Sequence, residues 1–217
     1  MEKVISFCGE ERGTFVYYIA VILAKAGYAT LVIDNSTAND IYKAVSDYDE
    51  SADYVVKQNI TYVENMRFHR DNESFYDYVL IWHGMSVDEN ELMQSDHVFV
   101  MPTYSPISLI SLNSMIQDKD LITAIFMRDA TEATKVTNED IARYFDVPTE
   151  KIACVMTYDE KDYENYISFI YNGRQTFANL SPNYNAALKY TIGCILEETD
   201  KKNINKMFNT SKKAKNM

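Results

Sequence analysis

The sequence predicts an α/β protein of three layers, with helices covering both faces of a mostly parallel, twisted central sheet. Three observations point there. Short apolar runs alternate with longer helical patterns, as in consecutive βαβ units. Two of those runs, Tyr28 to Ile33 and Tyr78 to Trp82, are almost continuously apolar, the pattern of strands buried on both faces. With 47% hydrophobic residues in 217 there is material for one sizeable core, and 6 Gly and 4 Pro leave little for a flexible linker. The 17 Tyr and 10 Phe must mostly pack.

Taken in order, Lys3 to Phe7 is a strand and Cys8 to Arg12 a turn. From Gly13 to Ala26 the apolar residues Val16, Ile19, Ala20, Leu23 and Ala24 recur at helical spacing, and Gly27 stops that helix. Tyr28 to Ile33 is the next strand. Thr37 is placed to cap a helix over about 38–47. Strands follow at Ile60 to Val63 and Tyr78 to Trp82, then a short helix at Glu89 to Met93 and a strand at His97 to Met101. A helix starts after Pro106 and runs to about Gln117, and Ile122 to Met127 is a strand. Asn138 to Phe145 is a helix capped by Thr137 or Asn138. Ile152 to Met156 is the last strand expected, followed by helices at about 160–172 and 183–198. No internal repeat is present. The division is a domain over 1–199 and a basic, flexible tail over 200–217.

Charge is unevenly placed. The net charge is -11, but residues 201–217 hold six lysines and no acid, so removing their +6 leaves -17 on the other 200 residues. An acidic body lacks the cationic face that nucleic acid requires, which makes nucleic acid an unfavourable partner. Cys8, Cys154 and Cys194 are odd in number and widely spaced, neither a disulfide framework nor a metal pattern. The opening MEKVISF has no secretory leader pattern, and no apolar run approaches the roughly 18 residues of a membrane span. A reduced, cytoplasmic protein is the expectation.

In open parallel sheets ligands sit beyond the carboxyl ends of the strands. After the first strand comes Cys8-Gly9-Glu10-Glu11-Arg12-Gly13-Thr14, which opens a helix. Such a loop can present backbone N–H groups to phosphate. A working phosphate loop needs GxxxxGK[ST], with Lys for the β- and γ-phosphates and a hydroxyl for magnesium. Here the Lys is absent, Gly13 stands at the hydroxyl position, and two acids lie where phosphate would. Judged alone, the loop reads as a plain strand–turn–helix.

The wider pattern, VISFCGEERGTFVYYIAVILAKAGYATLVID, resembles the N-terminal unit of MinD/ParA-type P-loop ATPases. In that alignment Gly27 and Asp34 match and Thr14 takes the second Thr of the loop, while Arg12 replaces the phosphate-binding Lys and Gly13 the magnesium-binding Thr. Tyr76 to Trp82 is similar to the family's Y-D-Y-I-I-I-D, with Trp82 at the acid. Ser95 to Val100 and Pro106 to Leu109 are similar to the next strand and helix start. Met156-Thr157-Tyr158-Asp159 resembles the I-P-Y-D element beside the adenine, and Asn185 to Leu188 an Ala-Leu helix. The resemblance spans nearly all of 3–196. It implies a P-loop NTPase-like fold, ATP as the cofactor, and Gly9, Arg12, Gly13, Thr14, Asp34, Thr157, Tyr158 and Asp159 as the nucleotide-facing residues. The lost Lys, Thr and acid resemble the degenerate TadZ/CpaE-like proteins that position pilus or secretion machinery.

Efficient hydrolysis needs a metal bridging the phosphates and a cation on the transferring group, which these substitutions remove. Asp34 stands open between capping a strand-to-helix turn and touching water, magnesium or a base. Trp82 is expected to pack against the sheet end or fill the vacated site. His69, His83 and His97 lie too far apart for a zinc pattern. Cys8 is expected to be buried and inert. In the tail, Ile204, Met207 and Phe208 share one helical face ringed by lysines, a weak membrane-touching pattern, although a solvated, disordered end is the preferred reading. The function expected is a catalytically degenerate homologue that pairs with itself and recruits a protein partner. The rivals are a divergent but active ATP switch and a partitioning factor that touches the inner membrane face or DNA through its tail.

Overall fold

In the computed structural model, which describes residues 2–10, 12–47, 51–70, 75–131, 133, 135–173, 177 and 179–212, the chain begins with β1 (Lys3–Gly9), α1 (Thr14–Lys25), β2 (Thr30–Asp34) and α2 (Asp40–Val45). Then come β3 (Val55–Lys57), β4 (Ile60–Glu64), β5 (Tyr78–Gly84), α3 (Glu89–Leu92), β6 (His97–Met101) and α4 (Pro106–Met115). The remaining elements are β7 (Ile122–Ala130), α5 (Asn138–Phe145), β8 (Ile152–Thr157), α6 (Glu160–Asn172), α7 (Pro182–Leu196) and α8 (Lys201–Lys212). The strands form one sheet in the order β3-β4-β2-β5-β1-β6-β7-β8. Every pairing is parallel except that of β3 with β4. The expected three-layer α/β fold is therefore present.

The central strand is β1, hydrogen-bonded to β5 on one side and β6 on the other. Its side chains alternate between layers, Ile5 and Phe7 joining the core under α1 and Cys8 the core under α4 and α5. The chain leaves β1 toward β2 but leaves β6 toward β7. That divergence opens a crevice at the carboxyl ends of β1 and β6, the switch point at which open α/β sheets bind ligands. β1 runs two residues into the segment expected to be a turn. Gly9 permits this, because a Cβ there would lie 2.6 Å from the Met101 carbonyl oxygen of β6.

Two elements depart from expectation. β3, absent from the sequence reading, pairs antiparallel with β4 through the two-residue turn Gln58-Asn59, both at positive φ (57° and 63°). Such a turn matches the twist of a hairpin. The second departure corrects the flexible tail, since residues 201–212 form α8, and 213–217 lie outside the described residues. The cause is α1. Its residues from Thr14 to Leu23 are all buried, so it is apolar all round and needs a cover on the face turned from the sheet. α7 and α8 pack against it. Phe208 is 2% exposed, with its ring edge-on to Phe177 at 6.0 Å and the Lys189 and Lys212 ammonium groups 5.1 and 4.9 Å from its centroid. Ile204 and Met207 pack against the same cluster. The apolar face that suggested a membrane contact is thus turned into the protein.

If α8 is part of the core, Phe208→Ala should lower unfolding stability by about 3 kcal/mol, the usual cost of emptying a buried phenylalanine site. Urea unfolding checks this; a loss near zero would mean that the helix does not hold α1.

Candidate functional site

The loop between β1 and α1 is closed by a carboxylate from another part of the chain. The Gly13 amide donates to Asp40 Oδ2 at 2.7 Å, and the Arg12 amide donates to the same side chain. The Trp82 indole N–H, at the end of β5, donates to Asp40 Oδ1 at 3.2 Å. Trp82 is fully buried and Asp40 nearly so. α1 has no acid in its first turn, and Gly13, at its N-cap, has no side chain to offer. Asp40 supplies both the acceptor and the negative charge that the positive end of a helix favours.

Asp40 is held there by Asp34. At the end of β2, Asp34 Oδ2 accepts from the Ile41 and Tyr42 amides at 2.8 and 3.1 Å, which caps α2. Its Oδ1 accepts from the Ser36 amide at 3.1 Å and the Ser36 hydroxyl at 2.6 Å. Asp34 is 1% exposed and lies beneath α2, away from the open pocket. The turn-capping role is therefore the one its contacts describe. Burial, and next the Asp40 charge, push its carboxyl up to about 6 against the pull of these donors. Burial raises Asp40 as well.

Arg12 points the other way. Its Nη1 pairs with Asp129 Oδ1 at 2.9 Å, and its guanidinium lies 5.1 Å from the Tyr163 centroid and 5.7 Å from that of Tyr166. Both partners of the ion pair have positive φ, 93° for Arg12 and 55° for Asp129, a conformation that costs about 1–3 kcal/mol for a non-glycine residue. The pair is about a quarter exposed, so its Coulomb gain is modest and the ring contacts share in fixing it.

Around this pair is a pocket lined by Arg12, Thr14, Asp129, Thr157, Asp159 and Tyr184 together with Arg128, Asp162 and Tyr166. Of the residues expected to face a nucleotide, the structure brings Arg12, Thr14, Thr157 and Asp159 together here. Tyr158 is half exposed beside them, while Gly9, Gly13 and Asp34 do not line the pocket. Glu10 turns aside, its carboxylate accepting from the Thr103 hydroxyl at 2.5 Å, and Glu11 lies outside the described residues. Thr14 hydrogen-bonds the Tyr184 phenol. Thr157 Oγ1 accepts from Asn183 at 3.3 Å. Asp159 caps α6 through the Lys161 and Asp162 amides at 2.9 and 3.4 Å. Burial, and next the charge of Arg12, lower Arg128 from its usual value. The space there open to water-sized molecules is about 30 Å³, room for one or two waters. Two arginines face three aspartates here, a lining without the excess positive charge that a triphosphate needs.

Arg128, Asp129, Asp162, Tyr166 and Tyr184 were not singled out from sequence. The strand-end rule could have found Arg128 and Asp129, which close β7. Asp40 left no local signal, because its partners lie 27 and 42 positions away.

A second polar cluster resembles a nucleophile–base–acid relay. Ser6 Oγ lies 2.9 Å from His83 Nε2, and His83 Nδ1 lies 3.6 Å from Glu91 Oε2. All three are buried and Ser6 also bonds Ser95, so a substrate has no route to it. Burial lowers His83 to about 4, leaving it neutral. Cys8 is buried, which raises its thiol far above the range in which it would be reactive. Among the described residues no three metal-ligating side chains cluster, and no helix is long and apolar enough to cross a membrane.

No protein-family model matches the chain, and no curated protein does. Solved structures do match its fold. The MinC:MinD cell division complex of Aquifex aeolicus superposes with a TM-score of 0.62 at 14% identity, covering 88% of this chain and 96% of that one. A ParA family ATPase from Chlorobium tepidum gives 0.58 at 16% identity, covering 88% and 98%. A putative plasmid partition protein from Borrelia burgdorferi, solved bound to AMPPNP, gives 0.53 at 16% identity, covering 93% and 99%. The chain has the α/β fold of the ParA and MinD ATPases.

Two consequences are measurable. A Cβ on Gly13 would lie 2.5 Å from Ile41 Cγ1 and 2.8 Å from Asp40 Oδ1, so Gly13→Ala should cost about 1–3 kcal/mol of stability, read by urea unfolding. The raised Asp34 means that between about pH 4 and pH 6 the folded state holds more protons than the unfolded one, so stability falls as pH rises through that window. The loss attributable to Asp34 is about 3 kcal/mol, with Asp40 acting in the same direction. Asp34→Asn should flatten much of this slope in unfolding curves taken across the window; an unchanged slope would locate the protons elsewhere.

Proposed function

We propose that the chain is a catalytically silent relative of the MinD/ParA-type ATPases, working as a binding and positioning module for a protein partner. The observation that carries the reading is the diversion of Arg12. The cation nearest in sequence to the phosphate-binding position is committed to Asp129 and to the rings of Tyr163 and Tyr166, away from the loop amides. Trp82, buried at the position of the catalytic acid, has no group to hold a metal, and Gly13 has no hydroxyl for one.

The module pairs with itself across the loop face and recruits a component of pilus or secretion machinery, the role that the TadZ/CpaE-like pattern of losses implies. A protein partner also accords with the solved MinC:MinD complex, in which a protein of this fold binds another protein. The module works in the cytoplasm without an inserted helix, because the apolar side of α8 is packed on α1 and α7.

Calorimetric titration of the purified protein with magnesium and ATP tests this. The expected result is no saturable heat at millimolar ATP and no phosphate release above background, with Arg12→Lys unable to restore either. Micromolar binding with magnesium-dependent hydrolysis that Arg12→Ala abolishes would overturn the reading in favour of an active ATP switch.

A further inference from the structure

Three departures in the β1–α1 loop fit one another. A Cβ on Gly13 would lie 2.8 Å from Asp40 Oδ1, so a hydroxyl-bearing residue there and the carboxylate in its present place exclude each other. Trp82, in place of an acid, turns an N–H toward Asp40 where a carboxylate would repel it. Asp34 fixes the first turn of α2 so that Asp40 reaches the Gly13 amide at 2.7 Å. The Gly13 and Arg12 amides of the loop and the Trp82 indole of β5 thus converge, with the Ile41 amide, on a buried carboxylate. The Arg12 and Gly13 amides of the loop are satisfied by one internal anion.

We propose that Asp40 is an autoinhibitory carboxylate, a built-in anion that occupies the amide cradle at the head of α1 and shuts phosphate-bearing ligands out of it. The proposal rests on the reading of this loop as a retired phosphate site and adds the group that keeps it closed. A phosphate entering the cradle would have to displace Asp40 and leave a buried carboxylate without its donors, in addition to meeting its charge. The ligand class excluded is therefore inorganic pyrophosphate and the phosphate groups of nucleotides. Removing the Asp40 charge relieves that exclusion without supplying a catalytic group, so binding should return while hydrolysis does not.

The test is calorimetric titration of sodium pyrophosphate, and separately of ATP, into wild type, Asp40→Ser and Asp40→Asn. Saturable binding at least about tenfold tighter in Asp40→Ser or Asp40→Asn than in wild type is the expected outcome, tenfold being the weight of a single charge-assisted hydrogen bond. Folded Asp40 variants that bind no better than wild type overturn the inference and leave the proposed function standing. Hydrolysis by wild type overturns the proposed function itself. If neither variant folds, hydrogen exchange in the wild-type protein decides: the Gly13 amide should be strongly protected by its bond to Asp40, and exchange at the free-peptide rate would refute the closed cradle.

Discussion

The bond from the Gly13 amide to the Asp40 carboxylate is the contact on which the arrangement around the loop depends. It is short, buried and charge-assisted, a class of hydrogen bond that contributes about 1.5–3 kcal/mol. It joins the start of α1 to the start of α2, and the bonds from Asp34 to the Ile41 and Tyr42 amides join α2 to the end of β2. Two carboxylates in series thus seat two helices of one layer, which share a core cluster. Trp82 closes the arrangement from β5. The Arg12 amide points inward to Asp40 while its side chain points outward to Asp129, which accounts for a backbone held at φ 93°.

The same scaffold that carries nucleotide chemistry in its structural neighbours is filled here with side chains that answer one another. The loop amides meet Asp40, the arginine meets an aspartate and two tyrosine rings, and the Thr14 hydroxyl meets Tyr184. This mutual satisfaction leaves little free polar surface in the crevice. Tyr158 and Tyr163 stay partly exposed at its rim, their rings 6.4 Å apart.

Much of the fold was legible because its strands are nearly continuous apolar runs and its helices keep a regular period. Val4 to Phe7, Leu31 to Ile33 and Tyr78 to Trp82 announced buried strands, and each is one. β3 was not legible: three residues, two of them exposed on the sheet edge, carry no period, and Gln58-Asn59 is not among the strong hairpin turn pairs. The helix α8 was misread because its composition is that of a solvated tail. Its three apolar residues acquire meaning only against α1, which is buried on every side from Thr14 to Leu23. In the site, Arg12, Thr14, Thr157 and Asp159 were found through strand ends and a family pattern. Asp40 was invisible to both, since nothing local distinguishes an aspartate that opens a helix from one that reaches across to another.

The strand order also governs how the chain can be made. β1 emerges first, yet its neighbours β5 and β6 follow some seventy to ninety residues later, so the middle of the sheet cannot assemble until residue 101 has been synthesised. α1 waits longer still. Its outer apolar side stays uncovered until α7 and α8 exist, which places Phe208 among the closing contacts of assembly. A nascent chain that exposes so apolar a helix through most of its translation is open to aggregation until its last helices arrive.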